Sequence, residues 1–197
     1  TGAPPVLNPA SFLVDFGRHD GGTHGNATVS PDVNGHYWNN ISPADPVTNN
    51  AVANGTAINN MITISNAATS VRLEITSGGW TANGRLNGGL LSPSNSLLGD
   101  FAIGSATEDY FFHDTTGTFK IAGLTPSSTY KLRFFGTRLS TETRIATFTV
   151  GSASTNHQTS GTGIGTYVAN QNDDEIAELS GLSPNGSGEI TVSVAKA

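Results

Sequence analysis

An all-β chain, folded as a single antiparallel β-sandwich, is what this sequence predicts, and three observations carry that prediction. Gly and Pro are frequent, 24 and 9, while charged residues make up only 12% of the 197 positions. Such a chain covers its surface with hydroxyls and amides, as loop-rich β proteins do, and lacks the Ala, Glu, Lys and Leu of helical bundles. Residues 123–138, GLTPSSTYKLRFFGTR, pair a Gly/Pro/Ser turn with an alternating run. Tyr130, Leu132, Phe134 and Gly136 fall on one face of that run and Lys131, Arg133, Phe135 and Thr137 on the other, the period of a half-buried strand. The spacing Leu124, Pro126, Tyr130 matches the tyrosine corner of β-sandwiches, in which the phenol bonds to backbone just upstream.

The length predicts one sandwich spanning 1–197, because a fibronectin-type domain needs about half as many residues. Residues 1–11 are Pro- and Gly-rich and predict an extended N-terminal segment. Residues 12–16, FLVDF, predict a short strand that carries one acid, Asp15. The polar loop 17–36 follows, and a loop of that length tends to be functional or mobile. It delivers Tyr37, Trp38, Asn39, Asn40 and Ile41. Strands are predicted at 61–65 and 71–76, the second with Val71, Leu73 and Ile75 inward and Arg72 and Glu74 outward. Residues 97–103 read as a short apolar segment. Residues 107–112 and 118–122 predict two strands paired through a turn at Thr116 and Gly117. Residues 143–150 alternate, and the short connection 139–142 predicts a hairpin with the central strand. Residues 151–165 read as a Gly/Ser/Thr-rich loop. Residues 176–182 fit a strand or a helical turn opened by Asp173, Asp174 and Glu175, and 189–195 is the last strand.

Composition also excludes functions. The net charge is −6 with nine Lys plus Arg and no basic cluster, which argues against nucleic acid. Without cysteine there are no disulfides, thiolate metal sites or Cys nucleophile. No stretch of about 18 apolar residues predicts a membrane span. No signal peptide is seen, and Thr1 fits the first residue after cleavage or an arbitrary boundary equally well. A polar, charge-poor chain of this kind suits work outside the cell.

The segments FLVDFG (12–17), YWNNI (37–41), ATEDYFF (106–112), GLTPSSTYKLRFFGTR (123–138), RIATFTVG (144–151) and GEITVSV (188–194) occur in order. Together they resemble a bacterial domain family found beside esterases, glycan lyases and secretion-signal domains in secreted polysaccharide-degrading proteins. Its pattern runs DFG, YWNN, an acid–aromatic pair, then LxPxxxYxxxxFxSR. The resemblance covers most of the chain and implies a β-jelly-roll of the galactose-binding-like kind that binds carbohydrate. The sequence departs at Thr137, where the family more often has Ser. It also stops at Ala197, where the family has one more short aromatic strand, so that either this copy is shortened or its last strand comes from elsewhere, including a neighbouring chain.

Candidate chemistry follows from residue type. Sugar rings stack apolar C–H faces on indole while amides and charges bond their hydroxyls. Tyr37, Trp38, Asn39 and Asn40 hold both components, and Trp80 sits in a polar stretch. The competing reading makes Trp38 a core aromatic and the two Asn turn caps. Asp15, Asp109, Arg138 and Arg144 predict a charged cluster in which Arg138 either recognises hydroxyls or forms an ion pair. Asp32 with Asn34, and Asp173 with Asp174, carry hard oxygen ligands suited to a structural Ca²⁺, although neither has EF-hand spacing and solvated turns explain them equally. His19, Asp20 and His24 share the first loop without any zinc-ligand spacing such as HExxH. No GxSxG is present for a serine hydrolase. Four Asn-x-Ser/Thr patterns, from Asn26, Asn40, Asn54 and Asn185, are expected by chance in so Asn- and Thr-rich a chain.

Three functional expectations result. The first is a secreted, extracellular or cell-surface module that binds polysaccharide without cleaving it, through Tyr37, Trp38, Asn39, Asn40, Trp80 and Arg138. The second is a structural or adhesive subunit of an extracellular assembly, accepting or supplying a strand at an open sheet edge. The third is a polysaccharide-active enzyme using Asp20, Glu108 or Asp109.

Overall fold

Strict alternation of apolar and polar residues builds the main sheet of this all-β chain, whose computed structural model describes residues 10–197. The expected segment 1–11 lies, up to residue 9, outside the described residues. Strand β5 (Arg72–Ser77) buries Leu73 and Ile75 and turns Arg72 and Glu74 outward as an ion pair, with Val71 buried just before it. Strand β8 (Thr116–Ala122) and strand β13 (Ile190–Lys196) continue the same face with Phe119, Ile190 and Val192. Each fully buried aliphatic contributes roughly 1.5–3 kcal/mol. With β4 (Ala57–Ile58), β10 (Arg144–Val150) and β11 (Ala153–Ser160), these strands form an antiparallel sheet ordered β11-β10-β13-β8-β5-β4. β11 lies in the stretch read as a loop, because its Thr, Ser and Asn pair well on a sheet edge.

Three smaller groups of strands face this sheet. Strand β9 (Tyr130–Phe134) pairs antiparallel with β12 (Ala177–Leu182). Strand β1 (Leu13–Phe16) pairs in parallel with β2 (Trp38–Ile41). Strand β6 (Trp80–Asn83) lies between β3 (Ala51–Val52) and β7 (Tyr110–Phe112). Ring contacts define what packs on what: Phe134 stacks on Phe148 of β10 with centroids 4.0 Å apart, and Phe16 meets Phe119 of β8 at 5.6 Å and Phe111 of β7 at 5.5 Å.

The tyrosine corner is present: the Thr125 N–H donates to the Tyr130 hydroxyl at 2.9 Å. Pairings between distant strands differ from the local expectation. β9 does not form a hairpin with β10 but pairs with β12, and β7 pairs with β6 instead of β8. In both cases a strand crosses to the opposite layer, which short connections do not announce. Residues 61–65 make only a bridge, Ile62 with Ala68. The apolar run at 97–103 is helical, α1 (Asn95–Leu98) followed by a 3-10 turn, Gly99–Phe101. A second short helix, α2 (Gly104–Thr107), precedes β7.

Candidate functional site

Two places in the described residues have chemistry to offer: a cleft over the main sheet and a buried polar cluster beside it.

The cleft has a volume of about 870 Å³ and is lined mainly by apolar atoms. That is large against the roughly 300–1,000 Å³ of ordinary ligand sites. Its floor is the main sheet, at Phe119, Ile121, Ala146, Phe148 and Val194. Its walls are residues 10–14, 109–114 and 129–138. A strand that turns one face to a cavity contributes every second residue. Here β7 and β9 line the space with unbroken runs and so present edges to it, and β1 adds Leu13, Val14 and Phe16. Each of these three strands is paired on one side alone, with β2, β6 and β12. Five of the nine Lys and Arg residues reach this cleft: Lys131, Arg133, Arg138, Arg144 and Lys196. Lys131 and Arg133 pair with Glu178 at 3.0 and 2.9 Å, and Arg144 pairs with Glu142 at 2.5 Å. The Arg138 guanidinium has no hydrogen bond or ion pair among the described residues; only its backbone N–H is engaged, with Thr159 O. Burial raises the Tyr110 phenol above its usual range, and the nearby charges of Arg138 and Arg144 oppose this.

The residues expected to stack on sugar are largely buried, although both indoles border this cleft. Trp38 is 6% exposed and its Nε1–H donates to Asp32 Oδ2 at 2.7 Å. Trp80 is likewise 6% exposed, donates to Ser77 O at 2.8 Å and occupies the space left by Gly117 of β8, where a methyl group would strike its ring. Both indoles are thus buried and hydrogen-bonded within the chain. Asn39 is buried, donating to Leu13 O and Ile62 O and accepting from Ile62 N–H. Asn40 is exposed but binds both backbone groups of Thr28. Tyr37 is half-buried, its N–H bonded to Ile64 O. Of the six expected binding residues, Trp80 and Arg138 border the cleft together with Trp38, and only Arg138 brings an unengaged polar group.

The expected calcium ligands also serve the loops. Asp32 accepts Trp38 Nε1 on one oxygen and the Asn34 and His36 N–H groups on the other. Asp173 accepts three backbone N–H groups, from Thr166, Tyr167 and Val168. Asp174 accepts the Thr166 hydroxyl, and Asn34 is exposed. In the described residues these carboxylates hold turns by accepting N–H and O–H groups.

The polar cluster centres on Asp15, His19 and Asp109. Asp15 (1% exposed) accepts the Thr28 N–H and hydroxyl on Oδ2, and His19 Nε2 lies 3.2 Å from the same atom. Asp109 (4% exposed) accepts the His19 N–H at 3.3 Å, with His19 Nε2 3.9 Å away. Asp15 Oδ1 and Asp109 Oδ1 are buried with no hydrogen-bond partner. Burial first, and then the charge of Asp15, push the Asp109 carboxyl up to about 7 against the pull of His19 and two backbone N–H groups. Burial lowers the His19 imidazole, but the hydrogen bond and charge of Asp15 outweigh it and raise it above 6.5. Next to them, Asp20 binds the His24 ring and the His24 and Gly25 N–H groups; burial opposes its ionisation, yet these bonds hold it near 2. Glu108 binds Arg85 and Asn26.

Of the charged cluster expected from sequence, Asp15 and Asp109 meet at His19, and Asp109 borders the cleft together with Arg138 and Arg144. The Asp15/His19 spacing is visible in the sequence, but Asp109 joins through a contact of ninety-odd residues' separation that no local pattern marks. No family model matches this chain, and no curated protein or solved structure matches it either. No helix among the described residues is long and apolar enough to cross a membrane.

Proposed function

We propose that this chain is a strand-accepting structural or adhesive module of an extracellular assembly, a β-sandwich of the jelly-roll, galactose-binding-like kind whose cleft takes an extended segment of a neighbouring polypeptide. The cleft carries this reading. The one-sided strands β7 and β9 turn their edges into an apolar space over the main sheet. Unpaired edges are templates for another strand, which gains main-chain hydrogen bonds and drops alternate side chains onto the floor. The occupant is an extended peptide with aromatic or aliphatic side chains at every second position. It also carries a carboxylate, because the cations of a chain of net charge −6 gather here and Arg138 is unengaged. Polysaccharide is less well supported, since its stacking mechanism needs an open indole and both are buried.

The test uses hydrogen exchange on the full chain with a synthetic peptide of about six residues, the length of an average strand, alternating Val or Tyr with Thr and bearing one Asp. The peptide is expected to slow exchange at the amides of β7 and β9. Arg138→Ala is expected to weaken binding about tenfold, as loss of a charge-assisted hydrogen bond does. Unchanged exchange at saturating peptide overturns the proposal. So does protection by soluble polysaccharide at the same amides. A variant lacking residues 1–9 that loses protection already present there would assign the slot to the chain's own start and also overturn it.

A further inference from the structure

We propose that Asp15, His19 and Asp109 form a binding site for one divalent transition-metal ion of the Zn²⁺ class. One carboxylate oxygen from each Asp and one imidazole nitrogen lie within 4.8 Å of one another. Tetrahedral zinc with bonds of about 2.0–2.1 Å places ligand atoms about 3.3 Å apart. Asp15 Oδ2 and His19 Nε2 are already 3.2 Å apart, and His19 Nε2 and Asp109 Oδ2 are 3.9 Å apart.

Three further features point to a cation. Each of the three side chains holds a buried polar atom without a hydrogen-bond partner, Asp15 Oδ1, Asp109 Oδ1 and His19 Nε2, and both acids are fully removed from solvent. An unpaired buried carboxylate costs several kcal/mol, and a metal ion is one of the few groups that offsets two together. Gly17 and Gly25 make room for the Asp109 carboxylate, which a methyl at either position would strike. His19 holds its ring there from a left-handed backbone, φ +43°, a conformation a non-glycine residue rarely adopts. Thr28 then fixes Asp15 through its N–H and hydroxyl, the outer support that ligating carboxylates use. The imidazole nitrogen selects against Ca²⁺, which takes oxygen, and for Zn²⁺ or its neighbours. With three protein ligands, the fourth position is left for water or a further ligand.

The experiment is calorimetric titration of the chelator-treated full chain with ZnCl₂, with thermal unfolding in Zn²⁺ and in EDTA. One equivalent is expected to bind and to raise Tm. Asp109→Asn is expected to lose at least about 100-fold in affinity, more than the 10–100-fold that loss of an outer support costs. In EDTA the same variant is expected to be no less stable than the parent, because it removes a buried unpaired charge. That crossing, less stable with zinc and not without, separates ligand loss from misfolding. Absence of bound zinc, or equal Tm in Zn²⁺ and EDTA, overturns the site and leaves a proton shared by two carboxylates. Unaltered zinc affinity in Asp109→Asn overturns it as well. Peptide protection at β7 and β9 is read separately, so failure here leaves the cleft reading standing.

Discussion

The two ends of the main sheet are covered very differently. Along β5 the inward residues are sealed, Ile75 at 0% and Leu73 at 2% exposed. Over β10 every residue is only half-buried, and the same holds for most of β9. Composition does not explain the contrast, since β10 offers Ile145, Phe148 and Val150. The β5 end shares one core with Ile41, Val52, Met61, Trp80 and Ala82, whereas β9 faces β10 across a cleft bridged by the Phe134–Phe148 stack. The lesson is that apolar residues from distant segments close the β5 end, while the β10 end keeps its apolar residues half-buried beside a cleft.

The sharpest way to break that comparison is to truncate one buried aromatic and one half-buried one. Trp38→Ala is expected to cost about 3–5 kcal/mol in denaturant unfolding, because it opens a cavity and leaves Asp32 Oδ2 without its donor. Phe148→Ala is expected to cost less than about half as much, since its ring is half-exposed at the cleft. Equal losses would show that the β10 end is packed as tightly as the buried ring. Asn39→Leu comes next at about 2–3 kcal/mol, as it strands the Ile62 N–H and two carbonyls inside the protein. Tyr130→Phe is expected to lose about 1 kcal/mol, the tyrosine-corner bond alone.

A pH titration sharpens the picture between the two ends. His157 is 3% exposed on β11 and its Nε2 accepts the Gly136 N–H, so burial holds its pKa below 6.5. The unfolded imidazole then takes up a proton at higher pH than the folded one. This contribution is whole above about pH 6.5 and is lost as pH falls toward the folded value. His157→Gln is expected to flatten that part of the stability profile, measured as Tm between neutral and mildly acid pH. The smallest effect is expected for Arg138→Ala, within about 0.5 kcal/mol, because its guanidinium holds nothing in the free chain. A large loss there would mean that Arg138 is structural and would remove the reason to assign it to a partner.

Much of the strand pattern was legible, for a local reason. Period-two alternation marked β5, β9, β10 and β13, and a three-residue spacing marked the tyrosine corner, because both depend on neighbours in sequence. Residues 12–16 and 38–41 were read as strand and aromatic segment, and they are β1 and β2. The partners of these strands were not legible. β9 and β7 take distant neighbours, and nothing within a short connection distinguishes a hairpin from a crossing to the other layer.

The site was harder still. An indole followed by two amides reads the same whether it faces solvent or the interior, and Asp32, six positions before Trp38, decided it by receiving the indole N–H. Acid-rich turns at 32–34 and 173–174 read as ion sites, and the Asp32 and Asp173 carboxylates accept backbone N–H groups. By itself the sequence determined an all-β chain, poor in charge and free of cysteine, and placed β1, β5, β9, β10 and β13 while missing β3, β4, β6 and β11. Tertiary structure alone decided which carboxylates meet and where an edge is left open, because burial and pairing arise between residues tens of positions apart, where chain geometry and not local pattern sets the contact.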